Sequence, residues 1–242
     1  MKTAFLRVLD AGDKAKALLA VIRESEGGQG RQRFDVEAEG FTSVPRSPFA
    51  YWVSDGLRRL FIELPRLSER YLATRGAYTT DDFRFYRLGW EVRSESLARS
   101  RSNTKARSTN VAVAKGGKWS PFYHDVHLVV RWGNDGAEAK AFLGSYREKK
   151  GWGTDWSACL NGYGHYFRPG LTWPLRTDGL SFRIMPAGCI FSHKGPAAFM
   201  ASDDSEGLLS VLAVINSQAF GALVSLQLAR TELAQSYEVG LI

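Results

Sequence analysis

Tyr166-Phe-Arg-Pro-Gly-Leu-Thr-Trp-Pro-Leu-Arg-Thr-Asp-Gly-Leu-Ser-Phe-Arg-Ile-Met-Pro-Ala-Gly-Cys-Ile-Phe-Ser-His-Lys-Gly195 reads as a run of short strands cut by turns. Pro169-Gly170, Asp178-Gly179 and Pro186-Ala187-Gly188 mark the turns, because proline presets φ and glycine accepts positive φ. Between them, apolar Leu180, Phe182 and Ile184 alternate with Ser181, Arg183 and Met185, the period of a half-buried strand. The outward face then carries cations. Arg168, Arg176, Arg183 and Lys194 stand against Asp178 alone, and Thr172 and Trp173 lie in the same block. Such a face suits phosphates and base edges, and it equally suits an ordinary solvated sheet.

Upstream lies a second block, Lys115-Gly116-Gly117-Lys118-Trp119. A Gly-Gly turn lets backbone approach a ligand closely, and a lysine on each side supplies charge there. The P-loop spacing is absent. Leu128 to Trp132 reads as a buried strand, and Asn134 is placed to cap a helix from Gly136 to about Lys149. Downstream, Leu208 to Ala229 is free of charge, but Asn216-Ser217-Gln218 interrupts it, so two packed helices are expected rather than a membrane span.

The N-terminal half alternates elements in the same way. Thr3 to Leu9 reads as a strand and Asp13 to Glu26 as an amphipathic helix ended by Gly27-Gly28-Gln29-Gly30. A strand near Arg33 to Val36 follows, then a helix from Asp55 to Leu64 capped by Ser54. Asp81-Asp82 suits a helix start, and strands resume at Leu88 to Val92. Ser94 to Thr109, rich in Ser and Arg, reads as a basic loop. Without regular βαβ spacing, the fold class is α+β, with a mixed or antiparallel sheet of short strands, packed helices and a closing helical pair.

With 44% apolar residues, the 242-residue chain has a globular composition. Its formal charge of +7 is unevenly spread. From Arg84 to Lys118, nine Lys or Arg face only Glu91 and Glu95. Such a segment implies a polyanionic or acidic partner. Two cysteines, Cys159 and Cys189, make neither a disulfide framework nor a metal array, and the N-terminus lacks a signal-peptide core. Both point to a cytoplasmic setting. His124-x-x-His127 falls at a strand start, where i and i+3 face opposite ways, so no metal site is expected. Neither a nucleophile elbow nor a distinct catalytic set appears.

Several motifs occur in order: Pro48-Phe49-Ala50-Tyr51-Trp52-Val53-Ser54, Asp81-Asp82-Phe83-Arg84-Phe85-Tyr86-Arg87-Leu88-Gly89-Trp90-Glu91-Val92, Lys115-Gly116-Gly117, Trp132-Gly133-Asn134-Asp135-Gly136, Arg168-Pro169-Gly170-Leu171-Thr172-Trp173, Leu212 to Ser217 and Tyr237-Glu238-Val239-Gly240. From about Ala4 to the last residue this succession resembles the C-terminal part of large bacterial adenine-specific DNA methyltransferases, most closely those of BREX phage-defence systems. The type IIG restriction-modification enzymes are similar.

The resemblance implies a target-recognition region over residues 1–242, with 1–92 as the connecting part and 109–242 as the recognition core. Its partners would be double-stranded DNA and a methyltransferase catalytic domain or subunit, with no membrane. S-adenosylmethionine belongs to the parent enzyme. No cofactor is expected here, because the chain has no Asn-Pro-Pro-Tyr-type motif and no glycine-rich loop between strand and helix. The expected identity is a fragment, a split gene product or a stand-alone specificity partner. By the same resemblance Lys115, Lys118, Arg168, Arg176, Arg183 and Lys194 would contact phosphates or, for arginine, guanine edges, and Gly116 and Gly117 would admit the backbone to close approach. Thr172 and Ser181 would donate to phosphate, and Trp173 and Trp119 would pack on sugar or serve the core. The alternative reading is a protein-interaction module that docks on a separate methyltransferase or defence subunit.

Overall fold

Short apolar runs separated by glycine and proline set the architecture in the computed structural model, which describes residues 2–25, 32–45, 47–106, 109–228 and 235–239. The fold is α+β. The chain divides into two compact units, Met1–Pro65 with Ser225–Ala229 and Arg66–Val224 with Arg230–Ile242.

In the first unit, β1 (Lys2–Leu6) pairs antiparallel with β2 (Arg33–Glu37), with α1 (Lys14–Ser25) between them and α2 (Asp55–Glu63) closing the unit. Ser54 caps α2 by accepting from the Leu57 amide. Phe5 stacks on Tyr51 at 4.7 Å and meets Phe41 edge-on at 5.8 Å. On α1, Val21 is buried while Leu18 and Ile22 are exposed. The glycines expected to end α1 lie outside the described residues.

The second unit is built on two larger sheets and a two-stranded antiparallel one that its ninth and thirteenth strands form. Its first elements are β3 (Tyr71–Thr74), α3 (Asp82–Phe85), β4 (Tyr86–Leu88), β5 (Leu97–Ala98), β6 (Asn110–Ala114), β7 (Leu128–Arg131) and α4 (Gly133–Lys149). They are followed by β8 (Gly170–Thr172), β9 (Arg176–Thr177), β10 (Arg183–Met185), β11 (Cys189–Phe191), β12 (Ala197–Met200), α5 (Ser205–Ile215), α6 (Gln218–Gln227), whose residues from Ser225 on are grouped with the first unit, and β13 (Gln235–Ser236). One sheet is antiparallel, in the order β10-β8-β12-β3. The other is mixed, in the order β11-β6-β7-β4. In it β5 and β11 run parallel to β6, β5 along Asn110–Val111 and β11 along Ala112–Ala114. Phe85, Val111, Val130, Trp132, Leu143 and Phe191 fill the core of this unit, with Cys159 and Cys189 buried in it as free thiols.

Four local expectations are corrected. The strand expected at Leu88 to Val92 ends at Leu88 and gives way to a 3-10 turn, Gly89–Glu91. The Ser94 to Thr109 segment is structured where it is described, by β5 and a 3-10 turn at Arg101–Lys105. Asn134 does not cap α4. Asn134, Asp135 and Gly136 form a left-handed turn with φ of 50°, 56° and 77°, and a Cβ on Gly136 would sit 2.9 Å from the Trp132 ring. Asn and Asp tolerate that backbone better than other side chains, and glycine alone fits the third position. Finally, Arg183 and Met185 of β10 are buried, so that strand has no solvated cationic face.

The helical pair is present, with the break at Asn216 and Ser217 and a bend of 67°. Among the described residues no single helix is long and apolar enough to cross a membrane; only the bent pair taken together reaches that length.

Candidate nucleic-acid interface

Four loops of the second unit converge. Ser192 donates to the Ala114 carbonyl at 2.9 Å, the Ala77 amide to Phe191 at 2.8 Å, and the Leu175 amide to the Lys194 carbonyl at 3.0 Å. The junction is tight enough to demand glycine. A Cβ on Gly116 would lie 2.6 Å from the Lys194 carbonyl oxygen, and one on Gly195 would lie 2.7 Å from the Gly116 amide nitrogen. Close backbone approach is therefore used within the fold, between the 115–118 and 192–195 loops. Gly117, with φ of 110°, turns the chain outward beyond it.

Behind this junction the polar residues of the turn-rich stretch serve as fastenings. Arg183 is 3% exposed, and its Nη2 donates to the Gly116 carbonyl at 2.5 Å. Its Nη1 is buried with no partner among the described residues. Burial pulls its pKa down. Beside it lies a cavity of about 20 Å³, lined in part by Thr172, His124 and Lys115, with room for one water molecule. Ser181 accepts from the Ser120 amide at 2.9 Å, and the Thr172 hydroxyl donates to the Pro196 carbonyl at 2.8 Å. Trp173 is fully buried; its indole N–H donates to Tyr237 at 2.8 Å and its ring packs on Phe182 at 4.7 Å. Thr172, Trp173, Ser181 and Arg183 thus lie inside, where each satisfies a neighbour's polar group or fills the core.

Lys118, Arg176 and Lys194 are on the outside. Beside Lys118 stand the exposed rings of Trp119, Phe122 and Tyr123. Lys115 is partly committed: its ammonium pairs with Asp82 and lies 4.4 Å from the centre of the Tyr86 ring. Burial pushes the Asp82 carboxyl up, but hydrogen bonds from Lys115 and Thr79 outweigh it and hold the pKa below the ordinary value. Arg168 is not part of this surface. Beyond the other end of β8 it pairs with Asp203 at 2.7 Å and donates to the Met200 carbonyl at 2.6 Å.

His124 and His127 are 5.9 Å apart, ring centre to ring centre, and the Nδ1 of each lies near the Asp125 carbonyl oxygen. No group of three metal-ligating side chains occurs among the described residues. Sequence reasoning missed Asp82 as the partner of Lys115, and Phe122 and Tyr123 as surface rings. The run Pro121-Phe122-Tyr123-His124 was the available signal, since adjacent aromatics that fit neither helical nor strand period are candidates for a loop surface.

Over 189 residues, 77% of its length, the chain is 29% identical to the adenine-specific methyltransferase BrxX of Escherichia coli O9:H4 (strain HS). Over 225 residues, 91% of its length, it is 26% identical to the adenine-specific methyltransferase PglX of Lacticaseibacillus casei (strain Zhang). The chain is thus similar to two adenine-specific methyltransferases. The matched regions make up 14% and 18% of those two proteins. No family model matches the chain.

Proposed function

We infer that this chain is the DNA target-recognition part of an adenine-N6 methyltransferase of a phage-defence or restriction-modification system, with methyl transfer from S-adenosylmethionine carried by another domain or subunit. The observation that carries the reading is the outward set of Lys118 and Lys194 on loops and Arg176 at the start of β9, with the rings of Trp119, Phe122 and Tyr123 beside Lys118 on a loop fastened from behind. Cations on a rigid support suit a phosphate backbone, and fixed loops hold side chains at base edges. The likeness to two adenine-specific methyltransferases agrees with it. The Gly-Gly turn does not fit a nucleotide-like cofactor, because Gly116 is filled by the Lys194 carbonyl.

Lys118, Arg176 and Lys194 are assigned to phosphates. Thr172, Trp173, Ser181 and Arg183 position the loops. Binding of a mixed-sequence duplex, followed by fluorescence anisotropy across a salt series, tests the reading. The expected result is a steep fall, about 0.9 log units of affinity per log unit of salt for each phosphate contact. A flat response contradicts it.

A second reading, docking on a separate methyltransferase subunit, is favoured by Leu209 and Val214, which are exposed on α5. Self-association of the isolated chain on a sizing column, relieved by Leu209→Ser, would support it.

A further inference from the structure

The loop between β6 and β7 holds an exposed phenylalanine on a backbone that phenylalanine rarely adopts. Phe122 has φ of 71°, and across it the Tyr123 amide donates to the Pro121 carbonyl at 2.9 Å. That is a γ-turn with positive φ, an uncommon and strained form. For a bulky side chain such a conformation persists only where the surroundings impose it. Here they do so at both ends of the residue. The Phe122 amide donates to the Phe182 carbonyl at 2.7 Å, and its own carbonyl accepts from Ile184 at 3.1 Å. The flanks are tied as well: the Ser120 amide to Ser181 Oγ, the Ser120 hydroxyl to the Tyr123 carbonyl at 2.6 Å, and the Trp119 indole to the Leu180 carbonyl at 3.3 Å.

This fixed backbone supports rings that are left in water. Trp119 is 57% exposed, Phe122 52% and Tyr123 67%. Trp119 and Tyr123 have polar handles already engaged, the latter with Asp125, whereas the Phe122 ring has none. Burying a phenyl group would be favourable, yet the fold spends hydrogen bonds on holding this one outward. The charge around it selects the occupant. Lys118 on the same loop, with Lys194 on the adjoining loop and Arg176 at the start of β9, outnumbers Asp125 and Asp178, which favours a polyanion with flat apolar faces inside it. Duplex DNA has both.

We propose that Phe122 is a wedge that enters a base step of duplex DNA, flanked by Trp119 and Tyr123, and partly unstacks it. The proposal rests on the DNA-recognition reading above and adds to it a contact made by insertion rather than by charge. Side chains of this kind unstack steps and unwind the helix, and phenylalanine and leucine both serve.

The test is topological, because it requires no knowledge of the recognised sequence. A closed circular plasmid is relaxed by a topoisomerase in the presence of the 242-residue chain, the protein is removed, and the topoisomers are resolved on a gel. Wild type is expected to leave the plasmid negatively supercoiled. Phe122→Leu keeps most of that shift, whereas Phe122→Ala and Phe122→Gly lose it while still retarding the plasmid. Phe122→Gly also serves as the folding control, because glycine accepts the positive φ; it should melt no lower than wild type. If wild type retards the plasmid but leaves the topoisomers unshifted, or if Phe122→Gly shifts them as wild type does, the wedge is overturned and DNA binding stands. If wild type does not retard the plasmid at low salt, the DNA reading itself fails.

Discussion

Two clusters in the second unit combine cations with aromatic rings, and they differ in what neutralises the charge. In one, Asp135 accepts from Arg101 at 2.9 Å, from Lys140 at 3.2 Å and from the Trp132 indole at 3.3 Å, and it also takes the Tyr163 hydroxyl. Arg101 and Lys140 lie over the Tyr163 ring at 4.2 and 4.5 Å. The cluster is closed. In the other, Lys118 and Lys194 stand exposed beside Trp119, Phe122 and Tyr123. That cluster is open. A cation already paired within the fold contributes stability and little external field, whereas an exposed one contributes field and little stability.

The largest expected effect breaks the closed cluster. Asn is well suited to the left-handed backbone at position 135, so Asp135→Asn removes the charge and leaves the turn. It should cost about 2 to 3 kcal/mol in urea unfolding, because Arg101 and Lys140 lose their partly buried counter-ion. A loss below about 0.5 kcal/mol would mean that the cluster is not held by that carboxylate. Burial pushes Asp135 up, but hydrogen bonds from Tyr163 and Lys140 and the charges of Lys140 and Arg101 outweigh it and depress its pKa. A depressed carboxylate stabilises the fold above its unfolded pKa, about 3.9, and that contribution is lost as pH falls through the lower folded value. Acid unfolding of wild type should therefore be steeper below about pH 4 than that of Asp135→Asn.

Next in size is the junction beneath the open cluster. Gly116→Ala drives a Cβ against the Lys194 carbonyl and should cost about 1 to 3 kcal/mol. It should also weaken duplex binding, because the loops that carry Lys118 and Lys194 shift. Arg183→Met comes third. It leaves the Gly116 carbonyl without its donor but also removes an Nη1 that has no partner among the described residues, so the net cost is about 1 kcal/mol by melting. Its salt dependence of duplex binding should match wild type; a shallower slope would return Arg183 to the contact surface.

The elements were largely legible in the sequence because caps and breakers act locally. Ser54 marks the start of α2, and Asn216-Ser217 marks the break between α5 and α6. What could not be read was the pairing of charges far apart in the chain. The basic stretch from Arg84 to Lys118 looked like one cationic surface. In the fold Arg84 pairs with Glu138, Arg101 with Asp135 and Lys115 with Asp82, all acids outside that stretch. The turn-rich segment around Arg183 misled for a related reason. A strand of three residues packed on both sides carries no reliable alternation, so the period assigned Arg183 to the wrong face. That Lys118, Arg176 and Lys194 lie exposed agrees with the outward placement read from the sequence.

The smallest change in stability belongs to the open cluster, and it gives the most direct test of its role. Lys118→Ala and Lys194→Ala should each leave urea unfolding within about 0.5 kcal/mol of wild type. Duplex affinity is then measured across a salt series for wild type and for the double variant. If the two lysines meet phosphates, the slope of log affinity against log salt becomes shallower by about 2. An unchanged slope, or no binding by wild type at low salt, would contradict the assignment of this surface to DNA.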